Sequence, residues 1–240
     1  MTLDGTNTWL LGAPGSQELV LVDPGPDDPA HLESVQSALA ERGAVVSVIL
    51  LTHGHVDHSA GARLFSDALH APVRALDPDH RYGGEGLAAG DVVAGGELAI
   101  EIVGTPGHSS DSLSFSIEDA GVMLTGDTVL GRGTTVVAHP DGSLAEYLAS
   151  LHRLKSLARA SEAHLMLPGH GPTVTEPEQL LDTYLAHRAE RLEQVRLAIA
   201  AGATSPMDVV QQVYQPIPDA VIPAALASVR AQWDYLTRGG

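Results

Sequence analysis

Apolar positions along the chain repeat with two different periods, and together they predict a mixture of strands and helices. Alternating or β-branched runs that end at turn residues predict strands at 7–12, 18–23, 45–51, 72–76, 97–103, 112–117, 121–127 and 164–170. Helical spacing predicts long helices at 31–41, 143–160 and 178–201, and shorter ones at 60–65, 207–215 and 220–235. The glycine-rich stretch 77–96 is expected to be a solvent-facing loop.

The third predicted strand leads into a segment in which three imidazoles and a carboxylate fall within six residues. Side chains two apart in an extended segment point to the same side, so His53 and His55 should project together. Asp57 or Ser59 is expected to cap the next helix. Asp57 and His58 should therefore lie on the turn between strand and helix, with side chains that point in a different direction from those of His53 and His55. This arrangement suits two metal ions, and imidazole and carboxylate are ligands that zinc prefers in open sites. A histidine-rich surface loop is the alternative, which this spacing disfavours.

Three later strands also end in a side chain that commonly binds metals. Each of these residues directly follows a glycine, and they are His108, Asp127 and His170. Taken singly, the two histidines could cap turns, and the aspartate could hold a loop through backbone hydrogen bonds. Because pockets in sheet-based folds gather where strand ends meet, convergence of all three on the first cluster is the simpler account.

Composition narrows the functional classes. The chain has 240 residues, 44% of them hydrophobic, which suffices for one domain with or without a small appendage. No apolar run approaches a bilayer span, and residues 1–5 lack the basic start and apolar centre of a signal peptide, so a cytoplasmic protein is expected. The absence of cysteine excludes disulfides, a thiolate nucleophile and thiolate-bound zinc. A net charge of −17 argues against a generally basic, nucleic-acid-binding surface.

The order and spacing of the candidate ligands resemble the metallo-β-lactamase superfamily, over roughly residues 7–173. This resemblance implies an α+β fold, an αββα four-layer sandwich with a metal site along one edge. It also implies a first metal bound by His53, His55 and His108, a second bound by Asp57, His58 and His170, and Asp127 as a bridge. The ligand set is similar to the glyoxalase II and RNA-processing branches. Lactamases often use a cysteine at the second metal, so antibiotic hydrolysis is not expected here.

Segments 1–8, 126–135 and 168–172 are more closely similar to the β-lactamase-like protein 2 group, whose characterised members include a single-strand endoribonuclease. This similarity implies a catalytic domain at 1–175 and a small C-terminal helical, winged-helix-like domain at 176–240. Such proteins usually have an upstream strand, so Met1 is expected to be a shortened start. The chain stops at Gly239-Gly240 with no segment for a wing hairpin, which weakens a nucleic-acid role for the tail.

These observations predict a hydrolase in which two divalent metal ions, expected to be zinc, hold a bridging hydroxide. Asp57 is expected to orient that hydroxide as well as bind metal. Asp23 and Thr52 are candidates for holding the ligands in orientation, although a strand-end turn and an ordinary strand residue explain them equally well. His139 is expected to border the site without binding metal.

The substrate stays open between a small ester or thioester and single-stranded RNA. An RNA phosphodiesterase follows from the closer resemblance but conflicts with the acidic charge. A hydroxyacylglutathione thioesterase of the glyoxalase II kind fits the metal set, with one weak recognition surface on a helical face that could equally be solvated: Tyr184, His187, Arg188 and Arg191. A non-enzymatic, metal-stabilised nucleic-acid-binding protein is a third interpretation, which the complete ligand set disfavours. The oligomeric state is not readable from the sequence.

Overall fold

A computed structural model of the chain describes residues 5–137, 139–214 and 216–238. The expectations about Met1 and about the end at Gly239-Gly240 therefore lie outside the described residues. One sheet contains, in spatial order, β1 (Trp9–Leu11), β2 (Glu18–Val22), β3 (Val45–Leu50) and β4 (Val73–Arg74). The other contains, in the same sense, β5 (Val92–Gly95), β6 (Leu98–Gly104), β7 (Leu113–Ile117), β8 (Val122–Gly126) and β9 (Leu165–Pro168).

Strand direction differs between the two sheets. In the first, β1 and β2 form an antiparallel hairpin, whereas β3 and β4 run parallel to β2. In the second, β5 to β8 are antiparallel neighbours and β9 is parallel to β8. The residues that follow β3, β6, β8 and β9 meet at one edge of the assembled sheets.

Helices cover the outer faces of both sheets. Their bounds are α1 (Pro29–Arg42), α2 (Val56–Ser59), α3 (Ala62–Leu69), α4 (Leu144–Ala160), α5 (Pro177–Ala200), α6 (Pro206–Val209) and α7 (Ile222–Arg238). Leu39 of α1 and Phe65 of α3 pack on Ile49 of the first sheet. Leu151 of α4 packs on Met166 of the second sheet. The predicted α+β, αββα sandwich is therefore confirmed.

The inner faces of the sheets share one apolar core. Val22 and Leu50 of the first sheet lie in the same buried cluster as Ile102 and Phe115 of the second. Full burial of a side chain of this size contributes roughly 1.5–3 kcal/mol to the free energy of unfolding. This core holds the strand ends that carry the candidate ligands at fixed separations.

Two local predictions are wrong. Val92–Gly95 falls in the stretch 77–96 expected to be a loop, yet it forms β5 at the edge of the second sheet, because pairing with β6 outweighs its weak, glycine-flanked signal. Neither Asp57 nor Ser59 caps a helix. His55 occupies the position before α2, and the Ser59 hydroxyl instead donates to the Gly54 carbonyl at 2.9 Å.

The C-terminal region is helical, as predicted. After α6 the chain continues as a π-helical turn at Val210–Tyr214, and α7 encloses a small core of its own with α5. Within the described part of 177–238 the structure assigns no strand. A boundary at residues 175 and 176 stays a prediction, because α5 packs directly on α4. None of the described helices has both the length and the apolar character that crossing a bilayer requires.

Candidate metal centre

The turn after β3 brings three imidazoles together. Nε2 of His53 lies 3.0 Å from Nδ1 of His55, so the two rings project to the same side as the extended backbone predicts. Nε2 of His108, which follows β6, lies 3.0 Å from the same His55 nitrogen. His53 is buried, whereas His55 faces solvent. One ring nitrogen from each of these three histidines therefore faces a common point near the solvent-exposed side of the site.

A second group of three candidate ligands contains Asp57, His58 and His170. Nε2 of His58 lies 3.3 Å from Nε2 of His170, and Oδ2 of Asp57 lies 3.4 Å from that His170 nitrogen. Both histidines are almost fully buried, whereas the Asp57 carboxylate is 26% exposed. Because α2 begins at Val56, Asp57 and His58 reach His170 after β9, while the His58 ring also lies beside the His53 ring, with centroids 4.2 Å apart.

Asp127, at the end of β8, lies between the two groups. Its Oδ2 is 3.3 Å from Nε2 of His170 and 3.7 Å from Nε2 of His108, and its Oδ1 is 3.4 Å from Nε2 of His58. That Oδ1 is buried and has no hydrogen-bond partner among the described residues. The structure thus brings all seven candidate ligands into one continuous cluster, with Asp127 at its centre.

Asp23 and Thr52 hold two of these histidines from behind. Oδ2 of Asp23 lies 2.9 Å from Nδ1 of His58. The Asp23 carboxylate also accepts hydrogen bonds from the Thr52 amide at 2.8 Å and from the Thr52 hydroxyl at 2.7 Å. The same hydroxyl lies 3.1 Å from Nδ1 of His53. Both residues therefore make the contacts expected of groups that orient metal ligands.

Backbone carbonyls orient two more of the rings, those of His108 and His170. Nδ1 of His108 donates to the Val136 carbonyl at 2.8 Å, and Nδ1 of His170 donates to the Gly5 carbonyl at 2.8 Å. A proton on Nδ1 leaves the Nε2 lone pair free. In both residues that lone pair faces the cluster.

Asp111 is a further residue of the site that the sequence did not indicate. Its Oδ2 accepts a hydrogen bond from the Gly54 amide at 2.7 Å, and its Oδ1 accepts one from the Ser109 hydroxyl at 2.7 Å. Asp111 thereby ties the segment between His53 and His55 to the segment after His108. The only signal was an acidic residue three positions after His108, which without the fold has no evident partner.

Burial and neighbouring charges act in opposite directions on the buried groups. Burial lowers the pKa of both His53 and His108 below the ordinary histidine value. Burial also lowers the pKa of His58, but the Asp23 and Asp127 carboxylates outweigh it and raise that pKa to about 10. Burial raises the pKa of Asp127, yet the His170 and His58 rings beside the carboxylate outweigh burial and hold that pKa well below its usual range. The cluster therefore centres on an ionised carboxylate.

The donor set fits divalent cations. Ring nitrogens converge to within 3.0–3.3 Å of one another, and Oδ1 of Asp127 adds a buried anionic acceptor without a hydrogen-bond partner among the described residues. A cation between these atoms gives this acceptor a partner, which removes the cost of leaving it unpaired. Nitrogen and carboxylate oxygen without sulfur is a ligand chemistry suited to zinc.

The predicted recognition face on α5 is largely buried. The Tyr184 hydroxyl accepts a hydrogen bond from the Leu130 amide at 2.9 Å and donates to the Gly133 carbonyl at 3.0 Å. The Arg188 guanidinium donates to the Thr135 carbonyl. These side chains contact the buried side of the segment after Asp127. The expectation of a solvated or substrate-binding surface is therefore wrong for Tyr184 and Arg188.

His139 makes a contact of a different kind. Its Nδ1 lies 3.5 Å from Oδ2 of Asp234 on α7. It belongs to none of the ligand groups found among the described residues, and that it binds no metal stays a prediction.

Comparison with known proteins gives consistent results. Residues 1–170 match the family described as the metallo-beta-lactamase superfamily. The chain is 32% identical to a beta-lactamase-like protein 2 homolog of Caenorhabditis elegans, covering 100% of this chain and 81% of that protein. It is 30% identical to an atrochrysone carboxyl ACP thioesterase of Aspergillus fumigatus, covering 91% and 71%. A solved beta-lactamase domain protein from Burkholderia ambifaria shares the fold, with a TM-score of 0.84 at 24% identity over 100% of this chain and 85% of that one.

Proposed function

The chain belongs to the metallo-beta-lactamase superfamily of hydrolases, and we propose that it hydrolyses a thioester with two divalent metal ions. The observation that carries this proposal is the continuous cluster of seven donors in which the Asp127 carboxylate reaches both groups of three. A site for one metal would need only one such group.

The proposed assignment follows the geometry of the two groups. His53, His55 and His108 would hold one ion, Asp57, His58 and His170 the other, and Asp127 would contact both. Zinc is the expected metal, because the donors are nitrogen and oxygen. Bound ions would supply a water activated at neutral pH and a Lewis acid for the carbonyl oxygen of the substrate.

Asp57 is proposed to orient the attacking water and accept its proton. Its carboxylate is more exposed than that of Asp127, 26% against 12%, so it can reach both a ligand position and a substrate. As the water oxygen bonds to the carbonyl carbon, the carbon–sulfur bond breaks and the sulfur leaves with the bonding electrons. Asp57 then returns the proton to the departing sulfur, so that the products are a carboxylic acid and a thiol.

Three observations favour a thioester over RNA. Val56 and Val136 have side chains 77% and 41% exposed, and they neighbour His55 and His108 respectively, which suits an apolar acyl group. The net charge of −17 opposes a polyanion. One relative is named as an acyl carrier protein thioesterase. Because Tyr184 and Arg188 are buried, glutathione lacks its expected recognition surface, so a less charged thioester is favoured.

A turnover assay on zinc-loaded protein tests this proposal. An acyl-pantetheine thioester, lactoyl-glutathione and a labelled single-stranded RNA would be offered in parallel. Asp57→Asn serves as the inactive variant, and Asp67→Asn, which changes an exposed aspartate on α3, serves as the matched control. We expect cleavage of the acyl-pantetheine thioester that only Asp57→Asn loses. Cleavage of RNA without thioester turnover would instead support a phosphodiesterase.

A further inference from the structure

The segment from Thr128 to Val137 lies at the metal-site edge of the sheets and packs against α5. It begins directly after Asp127, and its Val136 carbonyl accepts the hydrogen bond from Nδ1 of His108. Most of its inward side chains are buried, including Thr128, Val129 and Thr135. Whatever fixes this segment therefore also fixes the direction of two proposed ligands.

Arg188 of α5 contacts this segment from beneath. Its guanidinium donates a hydrogen bond to the Thr135 carbonyl and lies over the Tyr147 ring, 5.0 Å from the ring centroid. The Tyr147 hydroxyl in turn donates to the Thr128 carbonyl at 2.8 Å. Arg188 thus contacts the segment near its end directly and near its start through Tyr147.

Thr135 passes this restraint to both ligands. Its hydroxyl donates to the Asp127 carbonyl, and its own carbonyl, bound by Arg188, belongs to the peptide unit next to the Val136 carbonyl that holds His108. Because the peptide unit that contains the Thr135 carbonyl is planar, fixing this carbonyl also fixes the Cα of Val136, and only the two backbone dihedrals of Val136 separate it from the carbonyl that holds His108. On the path from Arg188 to His108, Arg188 and Thr135 are buried, at 5% and 4% exposed, whereas Val136 is 41% exposed.

Fold stability alone does not account for this arginine. Its Nε is buried with no hydrogen-bond partner among the described residues. Burying a charge is costly unless the charged group is paired and fully hydrogen-bonded. We propose that Arg188 is a positioning residue of the metal centre, which orients His108 and Asp127 through Thr135. This inference rests on the proposed metal-binding function.

Arg191 provides a matched control on the same helix. It lies over the Tyr214 ring, 5.0 Å from the centroid, and bonds to the Gln194 side chain, but it makes no hydrogen bond to the segment from Thr128 to Val137 among the described residues. Arg188→Met, Arg188→Lys and Arg191→Met would be compared with wild type. Cobalt(II) titration followed by visible absorption measures affinity and ligand geometry, and urea unfolding of the metal-free proteins measures stability.

We expect Arg188→Met to weaken cobalt binding roughly tenfold to a hundredfold, as the loss of groups behind metal ligands typically does, and to alter the absorption bands. Its metal-free form should still unfold cooperatively, with a midpoint lowered only by the lost hydrogen bond to the Thr135 carbonyl. Lysine keeps a donor for the Thr135 carbonyl, so Arg188→Lys should recover part of the affinity, and Arg191→Met should match wild type. Wild-type affinity and bands in folded Arg188→Met would overturn the positioning role.

Two further results separate this inference from the proposed function. Wild-type protein that binds no cobalt overturns both, whereas two-site binding in wild type with unaltered Arg188→Met overturns only the positioning role. Should Arg188→Met not fold, Thr135→Val decides, because it removes the hydroxyl on the Asp127 carbonyl and leaves Arg188 in place. Unchanged cobalt binding in Thr135→Val would contradict transmission through Thr135, and weakened binding would support it.

Discussion

Oδ2 of Asp23 lies 2.9 Å from Nδ1 of His58, and both side chains are almost fully buried. Through Thr52 the same carboxylate also acts on His53, so one residue orients a histidine from each of the two ligand groups. Asp23 adopts a left-handed backbone conformation, with φ of 53°, which is unfavourable for a residue other than glycine. The bonds that its carboxylate makes compensate for this conformation.

Replacing Asp23 by asparagine should weaken metal binding roughly tenfold to a hundredfold. Asparagine keeps the size, but its amide nitrogen cannot accept the bonds from Thr52 that the carboxylate accepts. Calorimetric zinc titration measures the change. Asp28→Asn is the control, because Asp28 caps α1 at the surface and asparagine caps helices about equally well. Equal affinities in the two variants would contradict the orienting role of Asp23.

Asp57→Asn should abolish turnover and leave the fold intact. An amide cannot accept a proton from water at neutral pH, whereas the half-exposed position of Asp57 makes little contribution to the core. Initial rates on the best thioester substrate test the first part, and circular dichroism with thermal unfolding tests the second. A variant that retains most of its activity would remove Asp57 from the mechanism.

Chelation of bound metal should lower stability. A ligand present at a hundred times its dissociation constant stabilises the folded state by about 2.7 kcal/mol, and the buried Oδ1 of Asp127 loses a partner when the metal leaves. Thermal unfolding with and without a chelator measures the loss, which added zinc should reverse. An unchanged unfolding temperature in protein shown to contain metal would argue against this cluster as the binding site.

Gly169→Ala should disturb the bridging carboxylate. A Cβ at this position would lie 2.5 Å from Oδ1 of Asp127 and 2.8 Å from Cε1 of His58. Both distances are too short for non-bonded atoms, so the Asp127 and His58 side chains would have to shift. We expect weaker binding of both metal ions by zinc titration. Gly104→Ala is the control, because its Cβ meets only Ala89, at 3.1 Å, away from the cluster. Equal affinities for zinc in the two variants would contradict the prediction.

Tyr184 should make stability fall at alkaline pH. Burial raises its pKa to about 12, against about 10 for an exposed tyrosine. The unfolded chain therefore loses this proton first, so the stabilisation is complete below pH 10 and is lost as the pH rises through 12. Tyr184→Phe should be less stable than wild type at pH 8, because it lacks the bonds to Leu130 and Gly133, and the difference should narrow at pH 11. Urea unfolding at both values tests this.

Much of the candidate site is predictable because its ligands lie at strand ends. Alternation and β-branched runs locate β3, β6, β8 and β9. Each of these strands is followed by a candidate ligand within four residues of its last residue. Convergence at one sheet edge then follows from the fold class. The roles of these residues as metal ligands, and of Asp57 as the proton acceptor, stay predictions that the experiments above test.

Elements with weak local signals were not predictable in the same way. The strand β5 has four residues flanked by glycines, and only its pairing with β6 distinguishes it from a loop. Asp57 has the chemistry of a helix cap, yet its side chain turns to His170, 113 positions away in the chain. In both cases a contact distant in sequence outweighs the local preference.

The sequence by itself determined the periodicity of the strands and helices, the types of the seven donors and their places after strand ends, because these depend on neighbouring residues. Only the tertiary structure decided that Asp111 restrains Gly54, and that the α5 face with Tyr184 and Arg188 is buried under the segment after Asp127. Helical spacing shows which residues share a face. Whether that face meets water or another part of the chain depends on packing between residues more than 50 positions apart.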